Sequence, residues 1–284
     1  MNKAGTHPFQ KLLLVGIASA TLAIGASTAA SASTGTTEPA DEMTEHTEAS
    51  HTMDTTAGSL AVDGSAEASS PEAEAFCMAE IAVEAAANSD DPAAAGPAVE
   101  AATAAAPAEA APLLEAVIAN IADPESPEFA EAYGAMLDYM RANCGFAELN
   151  LAASEYAFGG FPPELPAGPT IVALENIGEE VHEVVIMRIN DEVTLSADEL
   201  LALPEEEAMT MTTEQAFAFA FPGTVGQTVT DFTPGRYVAL CFLPQGATPE
   251  IISQMGGPED TAPAGAELGP PHFTLGMIHE FTVA

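Results

Sequence analysis

The sequence predicts an α-then-all-β chain: a small disulfide-linked helical bundle followed by a β-sandwich. Three observations carry this. Residues 73–150 are rich in Ala, Glu and Leu, with apolar positions recurring at three- and four-residue steps. From about residue 154 the pattern changes to seven or eight short apolar runs separated by turn residues. Two of the three cysteines, Cys77 and Cys144, flank the helical segment and are natural partners.

Taken in order, residues 1–32 read as an export signal. Lys3 and Lys11 make a basic start, Leu12 to Ile24 a short apolar core, and Ala30-Ser31-Ala32 a small-residue cleavage site. Residues 33–72 hold Ser, Thr, Glu and Ala with almost no large apolar residue, too little to offset the entropy of ordering them. They read as a disordered acidic linker. His46, His51, Met43 and Met53 are too scattered there to make a metal-binding tract.

In the helical module, 73–150, Phe76, Ile81 and Val83 mark a first helix and Pro97 to Ala106 a second. Leu113, Leu114, Val117, Ile118 and Ile121 mark a third. Ser126-Pro127-Glu128 is a start signal for a fourth, which Gly145 stops. The core of such a module is thin, and a Cys77–Cys144 bridge would contribute roughly 4 kcal/mol in the chain-entropy model. Its acids read as a solvated face, and it has no catalytic constellation.

The sandwich is expected over 154–284. Its strands are Tyr156 to Phe158, Thr170 to Leu174, Val181 to Ile189, Ala216 to Phe221, Thr228 to Phe232, Arg236 to Leu243 and Ile278 to Val283. Ser196-Ala197-Asp198-Glu199 is a capping box for a short interrupting helix. Glu205 to Thr213 reads as a polar connection, and the Pro- and Gly-rich stretch 244–271 as a long loop.

The charge narrows the function. There are 43 acidic residues against five basic, and only Arg141, Arg188 and Arg236 follow the signal. Nothing could neutralise a phosphate backbone, so nucleic-acid binding is excluded. Such a surface favours solubility, repels anionic membranes and could steer a basic partner. The chain is expected to be secreted or periplasmic, at the cell-envelope exterior, with no membrane insertion after signal removal.

Cys241 is the cysteine left over, and it ends an apolar run. His182 begins another, and His272 and Met277 precede the last. Two imidazoles, a thiolate and a weak thioether are the ligand set of a blue-copper electron-transfer site. Around them the chain resembles the cupredoxins, the plastocyanin and azurin family. Asn176-x-Gly178-x-x-x-His182 is similar to that family's first-ligand segment, and Pro234-Gly235-x-Tyr237-x-x-x-Cys241 to its penultimate strand. His272-x-x-x-x-Met277 keeps plastocyanin's histidine-to-methionine spacing, and Phe281-Thr282-Val283 is similar to the final strand. The resemblance covers residues 154–284. It implies a Greek-key sandwich holding one type 1 copper on His182, Cys241 and His272, with Met277 axial, that passes single electrons to a redox partner protein.

Two departures stand out. Thirty residues lie between Cys241 and His272, where plastocyanin and azurin have a few. Glu183 follows the first ligand where many members have Asn, and its negative charge would tend to lower the potential. An enzyme is not expected: the sequence has no Ser-His-Asp arrangement, no phosphate loop and no His-x-x-x-His pair. The competing reading is a metal-free, secreted interaction or structural protein built on the same sandwich.

Overall fold

Among the described residues four helices come first: α1 (Pro71–Ala87), α2 (Ala95–Ala105), α3 (Ala111–Asn120) and α4 (Pro127–Asn143). The computed structural model describes residues 70–284 apart from 88, 90–92, 124–125, 256–265 and 267. The expected signal and all but 70–72 of the expected linker lie outside these residues. Ser126 caps α4 by accepting a hydrogen bond from the Phe129 N–H at 3.2 Å, with Pro127 at the first helical position. Gly145 follows at φ +64°, where only glycine is unstrained. The expected Cys77–Cys144 disulfide is present and ties α1 to the end of α4.

These helices do not close a core of their own. Phe76, Ile81, Leu114, Met136, Leu137 and Met140 pack with Ile171 and Val229, which belong to the sheet beneath. Ala-rich helices carry too little apolar volume to bury themselves, and the sheet supplies the rest. The acids here also depart from the expected solvated face. Glu80 is 6 % exposed, and Glu84 accepts a hydrogen bond from the Tyr133 hydroxyl at 2.6 Å and from Thr228 at 3.4 Å. Burial, reinforced by the charge of Glu84, pushes the Glu80 carboxyl up to about 7.

The strands are β1 (Ala147–Ser154), β2 (Ala157–Gly159), β3 (Gly168–Asn176), β4 (His182–Ile189), β5 (Thr212–Ala220), β6 (Val225–Phe232), β7 (Gly235–Leu240) and β8 (Ile278–Val283). They form two four-stranded sheets, ordered β2-β1-β3-β6 and β5-β4-β7-β8. β1 and β3 run parallel and the other pairs antiparallel. β1 begins seven residues before the strand region expected from the sequence. Its Ala, Glu and Leu favour helix, but Leu149, Leu151 and Ala153 alternate into the core and its backbone pairs with β3. Tertiary pairing has overridden propensity.

Between the sheets lies one core, with Leu149, Leu151, Val172 and Leu174 from the first and Val184, Ile186, Ala216, Ala218, Tyr237 and Ala239 from the second. β3 is thus buried on both faces, Val172 inward and Ile171 toward the helices. That explains its continuous apolar run. The outer face of the second sheet is covered by α5 (Ala197–Leu201), whose Ala197 and Leu200 sit on Ile189, Val238 and Leu240. The Ser196–Glu199 capping box is present. α6 (Glu205–Thr210) occupies part of the expected polar connection, and α7 (Pro249–Met255) part of the expected long loop. Among the described residues no helix is long and apolar enough to cross a membrane.

Candidate metal centre

Strand register brings three of the predicted ligands together. β4, β7 and β8 are neighbours, with Val185 opposite Leu240 and Leu240 opposite Ile278. His182 opens β4, Cys241 follows the last residue of β7, and Met277 precedes the first of β8. His272 begins a 3-10 turn, His272–Leu275, just before it. All four therefore fall at one end of the second sheet.

His182, Cys241 and His272 each offer one donor atom, and the three atoms lie within 4.8 Å of one another. The Cys241 Sγ is 3.3 Å from His272 Nδ1, and the two imidazole centroids are 5.1 Å apart. All three side chains are fully buried, and Cys241 is a free thiol. Met277 is fully buried as well. Its N–H donates to the His272 carbonyl at 3.1 Å, and its carbonyl accepts from the Cys241 N–H at 3.2 Å.

The thirty-residue insertion does not pull the ligands apart, because its two ends are joined. Pro244 bridges Pro271, Gln245 N–H donates to the Pro270 carbonyl and Gly269 N–H to the Gln245 carbonyl, each at 2.9 Å. His272 N–H reaches the Leu243 carbonyl at 2.8 Å. This hydrogen-bonded stem holds His272 beside Cys241 whatever the length of chain beyond it.

Asn176 shapes the first-ligand loop. Its Nδ2 donates to the carbonyls of Glu180 and Ala220, at 2.8 and 2.9 Å, and its Oδ1 accepts from Gly178 N–H at 2.9 Å. A Cβ on Gly178 would lie 2.4 Å from Glu155 Oε1, so glycine there lets that carboxylate approach. Glu155 Oε1 sits 3.5 Å from His182 Nε2 and accepts from the N–H groups of Glu179 and Glu180. Glu180 Oε2 lies 2.9 Å from His272 Nε2. Each histidine thus has a carboxylate beside Nε2. The sequence reading did not find Glu155 or Glu180; the one available signal was an acid two residues before His182 in a chain crowded with acids.

Burial lowers the pKa of His182, with His272 adding to the effect and Glu155 opposing it. Burial likewise lowers that of His272, against the pull of Glu180. Both rings are thereby held neutral, with a lone pair to offer. Burial pushes the Cys241 thiol well up, Glu183 adds to this, and the backbone N–H groups of Glu183 and Leu243 pull the other way. Burial also raises Glu183, to about 7, although its carboxylate accepts a 3.0 Å hydrogen bond from Phe242 N–H. Burial thus disfavours the charged form of Glu183.

The donors fit a metal. His182 Nδ1 is buried without a hydrogen-bond partner, while Glu155 stands 3.5 Å from Nε2; a buried lone pair left so is costly unless something else takes it. Two imidazoles and a thiol are a donor set for copper. His279 is half-buried and stacks on Phe161 with 4.3 Å between ring centroids. Met211 packs under α5 and Met209 is exposed, as a plain connection requires. His46, His51, Met43 and Met53 lie outside the described residues.

No protein-family model and no curated protein matches the chain. Among solved structures it is similar to an auracyanin from Roseiflexus castenholzii, at 21 % identity and a TM-score of 0.29 over 49 % of this chain and 97 % of that one. It is also similar to auracyanin A, a blue copper protein from Chloroflexus aurantiacus, at 15 % identity and a TM-score of 0.25 over 49 % of this chain and 100 % of that one. A multi-copper oxidase from Pediococcus acidilactici is matched at 10 % identity and a TM-score of 0.25, over 49 % of this chain and 26 % of that one. The case for a metal rests on the donor geometry of the chain itself.

Proposed function

We propose that this is an exported type 1 copper protein of the cupredoxin kind, a Greek-key sandwich that carries single electrons and performs no catalysis. One observation carries the reading: two imidazoles and a free thiol, all fully buried, present donor atoms within 4.8 Å of one another. Copper bound there would supply a one-electron couple between Cu(II) and Cu(I). The residues supply the rest. His182 and His272 would hold the copper as neutral imidazoles and Cys241 as a thiolate, its proton released to solvent. Met277, fully buried at the same end of the sheet, would offer a weak thioether donor. The strand ends and the insertion stem keep the donors in place, so little rearrangement accompanies a change of oxidation state. The acidic surface suits a basic redox partner. Oxygen chemistry would need further histidines, and three of the chain's six lie before residue 52.

The test is a titration of the reduced, metal-free protein with Cu(II), followed in the visible, beside Cys241→Ser. One equivalent is expected to raise an intense blue or green thiolate-to-copper band that the variant lacks. A protein that stays colourless and loses its copper on dialysis would instead be a metal-free interaction protein on this frame.

A further inference from the structure

Resting on the copper reading above, we infer that Glu180 is a positioning residue for the metal. Its carboxylate accepts a hydrogen bond from the Nε2–H of His272, so that the Nδ1 lone pair faces Cys241, and it links that ligand to the stem of the insertion.

Three groups converge on this carboxylate. His272 Nε2 is 2.9 Å and Gly246 N–H 2.8 Å from Oε2, and the Tyr156 hydroxyl is 3.1 Å from Oε1. A backbone N–H can only donate, and a carboxylate surrounded by donors acts as the acceptor. His272 Nε2 therefore carries the hydrogen. A neutral imidazole has one protonated nitrogen and one lone pair, which places the lone pair on Nδ1, 3.3 Å from the Cys241 sulfur. The Tyr156 ring packs beside the imidazole, with 4.8 Å between centroids.

Glu180 is itself held at both ends of its peptide. Its N–H donates to Glu155 at 2.9 Å, and its carbonyl accepts from Asn176 at 2.8 Å. The loop that carries His182 thus also orients His272. Through Gly246, which adopts φ +88°, it is tied to the stem that replaces the short connection between Cys241 and His272. A carboxylate behind a ligand histidine fixes the tautomer and raises the basicity of the donor nitrogen. Glu180 need not touch the metal to do this.

The experiment reads the His272 tautomer by two-bond 1H–15N correlation in the reduced, metal-free, 15N-histidine-labelled chain. It then measures copper affinity by competition with a chelator. Wild type is expected to show the Nε2–H form. Glu180→Gln keeps an acceptor and is expected to retain it with near-wild-type affinity. Glu180→Leu, with folding checked by thermal melting, is expected to lose the single tautomer and about 10- to 100-fold in copper affinity. A wild-type Nδ1–H form overturns the proposal, even if Glu180→Leu does not fold. So does a folded Glu180→Leu with unchanged tautomer and affinity. Because the tautomer is read without copper, failure of the metal reading alone would leave this result standing.

Discussion

At one end of the second sheet two imidazoles and a thiol are buried together. Between the helices and the first sheet Glu80 is buried, and half-buried Glu84 accepts a hydrogen bond from the Tyr133 hydroxyl. The same desolvation acts on both sets with opposite consequences. It favours the neutral form of every group. A neutral imidazole has a lone pair and is a ligand, whereas a neutral carboxyl has gained a proton and is a poor one. The first cluster keeps a carboxylate beside Nε2 of each ring and leaves His182 Nδ1 without a hydrogen bond. The second spends its polar atoms internally: both Glu84 oxygens are paired, and only Glu80 Oε1 lacks a partner. One region gathers neutral donor atoms at a strand end and the other pairs the Glu84 carboxylate with hydroxyl groups.

If the two regions are separate in this way, each can be disturbed alone. Replacing Cys77 and Cys144 by Ser removes a bridge across 67 residues and should cost about 4 kcal/mol in the chain-entropy model, read by urea unfolding. The visible copper band should stay as it was; a band lost with the disulfide would show the regions to be coupled.

A smaller effect concerns Glu80. Its carboxyl is raised in the folded state from 4.5 to about 7, so the folded protein binds the proton more tightly than the unfolded chain does. The resulting stability is fully present below about pH 4.5 and is lost as pH rises through about 7. Measured against Glu80→Gln, wild type should lose up to about 3 kcal/mol between pH 4.5 and 8. Parallel profiles for the two proteins would mean that Glu80 is not buried in its charged form's disfavour. Smallest is Ser126→Ala, which removes the α4 cap and should cost about 1 kcal/mol without touching the metal end.

The sequence displayed the donors of the site better than their surroundings. His182, Cys241 and His272 are rare residue types here, and each, like Met277, stands at the edge of an apolar run that had to be a strand. Glu155 and Glu180 are ordinary acids in a chain with 43 of them, and only folding sets two apart. The four helices followed from periodicity and the Ser126 cap. Their dependence on the sheet did not, because Ile171 and Val229 declare their second buried face only once α1 and α4 are docked. β1 was hidden for a related reason: its alternation is carried by Leu149, Leu151 and Ala153 in a composition that favours helix. The insertion looked like a threat to the site because the sequence shows its length and not the hydrogen bonds that close its stem.

X-ray absorption at the copper edge of the loaded protein, oxidised and then reduced, tests the central claim most directly. The account predicts one sulfur and two imidazole nitrogens as the strong ligands in both states, with the sulfur lost in Cys241→Ser. A shell of nitrogen and oxygen alone, or a ligand set that changes between the two states, would contradict it.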